Sequence, residues 1–142
     1  MNTSIVRPNV VVGLGLVALG LFFGSFMAAA RDIAAIEEWF RWPPMRSNQV
    51  MYAHAHLGVI GLTNIALGFV LPLGALSSRL RTMASWSAVA AGILVPAGMV
   101  LVLLPHPWSR LVYLQAAGLL ALLFALLTGA GGVLRAHSPK GT

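Results

Sequence analysis

The sequence predicts an all-α protein, an integral membrane four-helix bundle, and three observations carry that prediction. Hydrophobic residues make up 58% of the 142 and charged residues 8%, whereas a soluble domain carries roughly 25% charged residues. Mean hydropathy is +0.87. The nine basic and three acidic residues are clustered, and the clusters separate four charge-free stretches. A water-facing surface cannot be built from so few charges. The net charge of +6 therefore implies no nucleic-acid partner; juxtamembrane Arg and Lys set topology and meet anionic lipid. With no cysteine there is no disulfide, no thiolate metal site and no thiol nucleophile.

The first stretch, Val10 to Ala30, lies between Arg7-Pro8 and Arg31-Asp32. A helix needs ~20 residues to cross ~30 Å of hydrocarbon, so it fits with little tilt. Its small residues Ala28-Ala29-Ala30 also suit a signal-peptidase site, but the apolar run exceeds the ~7–15 residues of a signal peptide. Residues 31–47 form the longest connection and hold all three acids, with Trp39 and Trp42 among them. That mixture predicts an interfacial segment broken at Pro43-Pro44. The second span runs from about Val50 to Leu71 and stops at Pro72. The third, Met83 to Leu104, is closed by Pro105-His106-Pro107, and the fourth, Leu111 to Leu134, ends at Arg135. The whole chain, 1–142, reads as a single membrane domain.

An even number of spans puts both termini on one side. That side holds Arg7, Arg79, Arg81, Arg135 and Lys140; the other holds Arg31, Arg41, Arg46 and Arg110. The balance favours cytoplasmic termini in a bacterial inner membrane. Gly20, Gly24 and Ala28 repeat every four residues and mark a close-packing face. Pro96 removes one backbone hydrogen bond from the third span and leaves the carbonyl of Gly92 without its donor.

The chemically informative segment is Met51-Tyr52-Ala53-His54-Ala55-His56-Leu57-Gly58. Ionisable groups at membrane depth are functional candidates by default. At ~100° per residue His54 and His56 point roughly 160° apart, so one at most faces a given site. His54 shares its stripe with Gly58, Gly61, Ile65 and Gly68. His56 shares its stripe with Gln49, Tyr52, Ile60 and Thr63, with Asn64 to one side. A histidine above a groove of glycines suits haem, which needs an axial nitrogen and a surface without side chains. The competing reading is packing: the glycines admit another helix while His54 bonds a backbone carbonyl. Zinc is disfavoured because His106 and His137 lie in a loop and a tail. The amide of Asn64 must find a partner in the membrane, with Tyr113, Gln115 and Thr128 as candidates, or else a substrate.

At these residues the sequence resembles the membrane-bound styrene oxide isomerases. The resemblance rests on Ala53-His54, then Gly61, then Phe69-Val70-Leu71-Pro72 closing the same helix, and it covers one helix and the four-span plan. It implies haem b on His54, a homo-oligomer with a trimer favoured, and ferric haem acting as a Lewis acid that isomerises small apolar epoxides to aldehydes. The family's asparagine position is occupied here by Ile60, with Asn64 one turn beyond, and the family's third-span tyrosine has no counterpart between Gly92 and Leu104. Fold and cofactor are thus carried over more fully than the reaction.

Two haem functions stand open on the sequence: an epoxide isomerase, and a sensor of a gas ligand or an electron-transfer subunit. A third reading has no cofactor and purely structural histidines. The expected haem b site comprises His54 as metal ligand, Gly58 and Gly61 as its bed, and Arg46 for the propionates, with Asn64 as the catalytic candidate. A c-type linkage is excluded by the absence of cysteine.

Overall fold

The computed structural model describes residues 3–30, 33, 37–38, 44–101 and 112–138. Four long helices dominate it: α1 (Thr3–Ala30), α2 (Pro44–Val70), α3 (Ser78–Leu101) and α4 (Val112–His137), with a 3-10 turn at Leu71–Leu73 closing α2. Each contains a segment long and apolar enough to cross a membrane: Val6–Ala29, Val50–Leu73, Ser78–Met99 and Tyr113–His137.

Three helices begin earlier than the charge pattern predicts. α1 runs through Arg7 and Pro8 from Thr3, and α2 starts at Pro44, where proline suits a first helical position. α3 starts at Ser78 because Ser77 caps it: the Ser77 hydroxyl accepts from the Leu80 N–H at 3.3 Å. Arg79 and Arg81 then lie in the opening turns of α3 rather than before it. Long cationic side chains at a span's end reach back to the interface, so they do not stop the helix. Of the expected interfacial connection 31–47, residues 44–47 belong to α2, and most of the rest, with Trp39, Trp42 and Arg41, lies outside the described residues, as does Arg110.

α1 packs along α2 and α3 along α4, with α2 against α3 joining the two pairs. The 18-residue apolar stretch of the third span is 56% buried, against 11% for that of the first and 22% for that of the fourth. α3 is therefore the central element, and α1 and α4 turn most of their surface outward. Phe22, Phe26, Leu120 and Leu127 are among the exposed residues, as lipid-facing side chains should be.

The core has two parts. Leu67, Leu71, Ala84, Ala88 and Ala125 form one; Ala53, Ile60, Val95 and Met99 form the other. Alanines on α3 let its neighbours come close, the usual means of packing helices where lipid is as apolar as leucine. The α1–α2 seam goes further. A Cβ on Gly13 would lie 2.6 Å from the Gly61 carbonyl oxygen, and one on Gly61 would lie 2.8 Å from the Gly13 carbonyl oxygen. The two backbones are thus in mutual contact. Gly68 meets Val6, Asn9 and Val10 further along, and Gly20 meets Leu57 and His54 in the other direction. The helices run antiparallel.

Candidate functional site

His54 lies four residues inside the second span, roughly 6 Å along the axis. Its ring turns toward α1. Nδ1 is 2.7 Å from the carbonyl oxygen of Gly20, and Cε1 is 2.7 Å from where a Cβ on Gly24 would stand. Gly24 is what makes room for the imidazole. A carbonyl can only accept, so Nδ1 is the donor in this bond, and in a neutral ring the lone pair is then on Nε2. Among the described residues Nε2 has no hydrogen-bond partner. An imidazole held at one nitrogen by a backbone carbonyl is how metal-ligating histidines are commonly oriented.

The glycine stripe below His54 divides. Gly61 and Gly68 face α1 and are filled by it, as the seam contacts above record. The expected bed for a macrocycle at Gly61 is therefore occupied by Gly13 and Val17, a correction with a simple cause. Residue spacing says that something flat approaches; a glycine-lined helix satisfies that as well as a porphyrin does. Gly58 differs, because a Cβ there would meet nothing within 4 Å. The open space is at Gly58, one turn along α2 from His54.

His56 points elsewhere. Its Nδ1 bonds the Tyr52 carbonyl of its own helix at 2.7 Å. Thr63 does the same to Val59 at 2.8 Å, which local side-chain bonding explains. Ile60 is in the core and 1% exposed, so the stripe through His56 is not a continuous polar strip.

Asn64 is fully buried. Its Nδ2 donates to the carbonyls of Ile60 at 3.1 Å and Ala88 at 3.0 Å, while Oδ1 has no partner. The partner helix is α3, not the α4 residues Tyr113, Gln115 and Thr128, because α3 stands between α2 and most of α4. Asn64 is also ten residues from His54, roughly 15 Å along the axis. The fold does not bring the two together, and the amide braces α2 against α3. Arg46 is on the first turn of α2, but its side chain lies outside the described residues.

One polar pair escaped the sequence reading. The Asn9 amide donates to the Ser85 hydroxyl, and both residues are buried, tying α1 to α3. Asn9 stands just before the first span as drawn from Val10 and is not singled out by the charge pattern. Its position four before Gly13 and eleven before Gly20 was the available signal, since these share the small-residue face.

Among the described residues no three His, Cys, Asp or Glu side chains converge. A metal centre at His54 would rest on one protein ligand per chain, which is the arrangement of a haem with an open side and not that of zinc. The fold and this geometry give a bundle of four helices long and apolar enough to cross a membrane, with His54 held across the α1–α2 seam. Comparison with known proteins adds no relative: no family model, curated protein or solved structure matches the chain.

Proposed function

We propose that this protein binds haem b in a bacterial inner membrane, with cytoplasmic termini, as a homo-oligomer, and isomerises small apolar epoxides to aldehydes. One observation supports the cofactor: the 2.7 Å bond between His54 Nδ1 and the Gly20 carbonyl, in which Nδ1 is the donor while Nε2 has no partner among the described residues. His54 supplies the axial nitrogen, Gly20 fixes its tautomer, and Gly24 gives the ring its space. Gly58 leaves the adjoining surface open, and Arg46 is the candidate for a propionate.

Bound ferric haem supplies a Lewis acid for the epoxide oxygen. The chain's part is to hold the imidazole still and to wall the site with apolar side chains. Exclusion of water favours rearrangement over ring opening to a diol. Asn64 enters as a brace between helices, its amide being engaged by two carbonyls. His54 is held across the α1–α2 seam whereas His56 bonds its own helix, and a single axial ligand with an open side favours catalysis or gas binding over electron transfer through two strong ligands. The test is to purify the protein with haem and incubate it with styrene oxide. Phenylacetaldehyde is the expected product. A haem spectrum of two strong axial ligands with no turnover would replace the isomerase by an electron-transfer subunit.

A further inference from the structure

The two ends of the bundle differ in charge. The antiparallel seam puts Arg7 beside the end of α2, since Gly68 meets Val6 and Asn9. The turn after α2 docks on the end of α4: the Ala75 N–H donates to the Gly132 carbonyl at 2.9 Å, and the Leu76 side chain lies against Gly132. Arg135 is three residues beyond Gly132, and Arg79 is three beyond Leu76. This docking sets Arg79 and Arg135 at one corner. Arg81 holds the corner together by donating to the carbonyls of Gly74 at 3.3 Å and Leu76 at 3.2 Å.

Arg7, Arg79 and Arg135 are exposed. Every acidic residue of the chain, Asp32, Glu37 and Glu38, falls between α1 and α2, at the opposite end. The basic end thus gathers like charges with no acid to balance them. It lies where all four helices long and apolar enough to cross a membrane have one of their ends, which in a bilayer is the end that meets lipid phosphates. Arginine forks match phosphate oxygens and remain charged at any working pH.

We propose that this corner, with Arg79 and Arg135 as its principal residues and Arg7 adding to the field, binds the phosphodiester headgroup of an anionic membrane lipid. The surface sorts lipids: phosphatidylglycerol-type headgroups collect there in preference to zwitterionic ones. It also sets that end against the anionic leaflet. The site is independent of haem and of any isomerase activity.

Trp86 allows a local test. It is 59% exposed on α3, eight residues past the helix start at Ser78, and the other tryptophans of the sequence are Trp39, Trp42 and Trp108. The full chain with those three changed to Phe is reconstituted in phosphatidylcholine carrying acyl-brominated phosphatidylglycerol or acyl-brominated phosphatidylcholine. Quenching of Trp86 reports which lipid is beside α3. The brominated phosphatidylglycerol should quench at a lower mole fraction. The Arg79→Gln/Arg135→Gln variant should lose roughly 25-fold in relative affinity, about fivefold per arginine. Arg79→Lys/Arg135→Lys should retain most of the preference, which separates loss of charge from loss of fold. Equal quenching by the two lipids overturns the proposal, as does a preference that the Gln variant leaves unchanged. Abolition of the preference by added inorganic phosphate at constant ionic strength overturns it in favour of a soluble anion.

Discussion

Substituting Gly24 by alanine probes the histidine clasp directly. The new methyl would stand 2.7 Å from His54 Cε1, 3.3 Å from Nε2 and 3.4 Å from Nδ1. Ordinary contact begins at 3.4 Å, so the ring must retreat by about 0.7 Å. A retreat of that size stretches the 2.7 Å bond to Gly20 to the edge of hydrogen-bonding distance. Losing the bond costs about 0.5–1.5 kcal/mol, and forcing a methyl into a filled seam costs about 1–3 kcal/mol. Against this stands the gain of roughly 1 kcal/mol that alanine brings to any helix interior. Gly15→Ala cancels that gain in the comparison, because a Cβ there meets nothing within 4 Å. Gly24→Ala should therefore be about 1.5–4.5 kcal/mol less stable than Gly15→Ala, measured by denaturation of the purified protein in mixed micelles. The haem spectrum of Gly24→Ala should also shift or weaken. Equal stability of the two variants, within ~0.5 kcal/mol, would refute the packing of His54 against Gly24.

Gly13→Val should destabilise the α1–α2 pair by about 3 kcal/mol or more, since its side chain has only the Gly61 backbone and Ile65 to displace; near-native unfolding would contradict the seam. Asn64→Leu should cost about 0.6–1.7 kcal/mol in the same assay, the range for interhelical polar contacts in membranes, and should reduce styrene oxide turnover far less than His54→Ala. A larger effect of Asn64→Leu on turnover than on stability would return Asn64 to the reacting centre. Cysteine scanning of the intact protein in membranes should give protected blocks within Val6–Ala29, Val50–Leu73, Ser78–Met99 and Tyr113–His137. Labelling throughout any one block would remove that span.

The spans were legible because hydrocarbon demands long uncharged helices, and few other sequences satisfy it. Their starts were not, because Arg7, Arg79 and Arg81 read as borders while the backbone runs on through them. The close-packing face of α1 was visible in the spacing of Gly20 and Gly24, although Ala28 is exposed and Gly13, at the tightest contact, was not singled out. The choice of His54 over His56 as the inward histidine came from the angular arithmetic and agrees with the bond to Gly20. What spacing could not distinguish was the kind of surface that meets a glycine stripe. Contact pairing was equally hidden: Asn64 finds Ala88 on α3, and nothing in the period of either helix names its neighbour.

The most direct measurement is chemical rescue of the axial position. His54→Gly, purified with haem supplied, should lack the Soret band of the unaltered protein, and added imidazole should restore it by occupying the vacated place beside Gly20 and Gly24. His56→Gly should keep the band without imidazole, because its ring bonds only the Tyr52 carbonyl of its own helix. A native spectrum in His54→Gly without imidazole, or loss of the band in His56→Gly, would contradict ligation by His54.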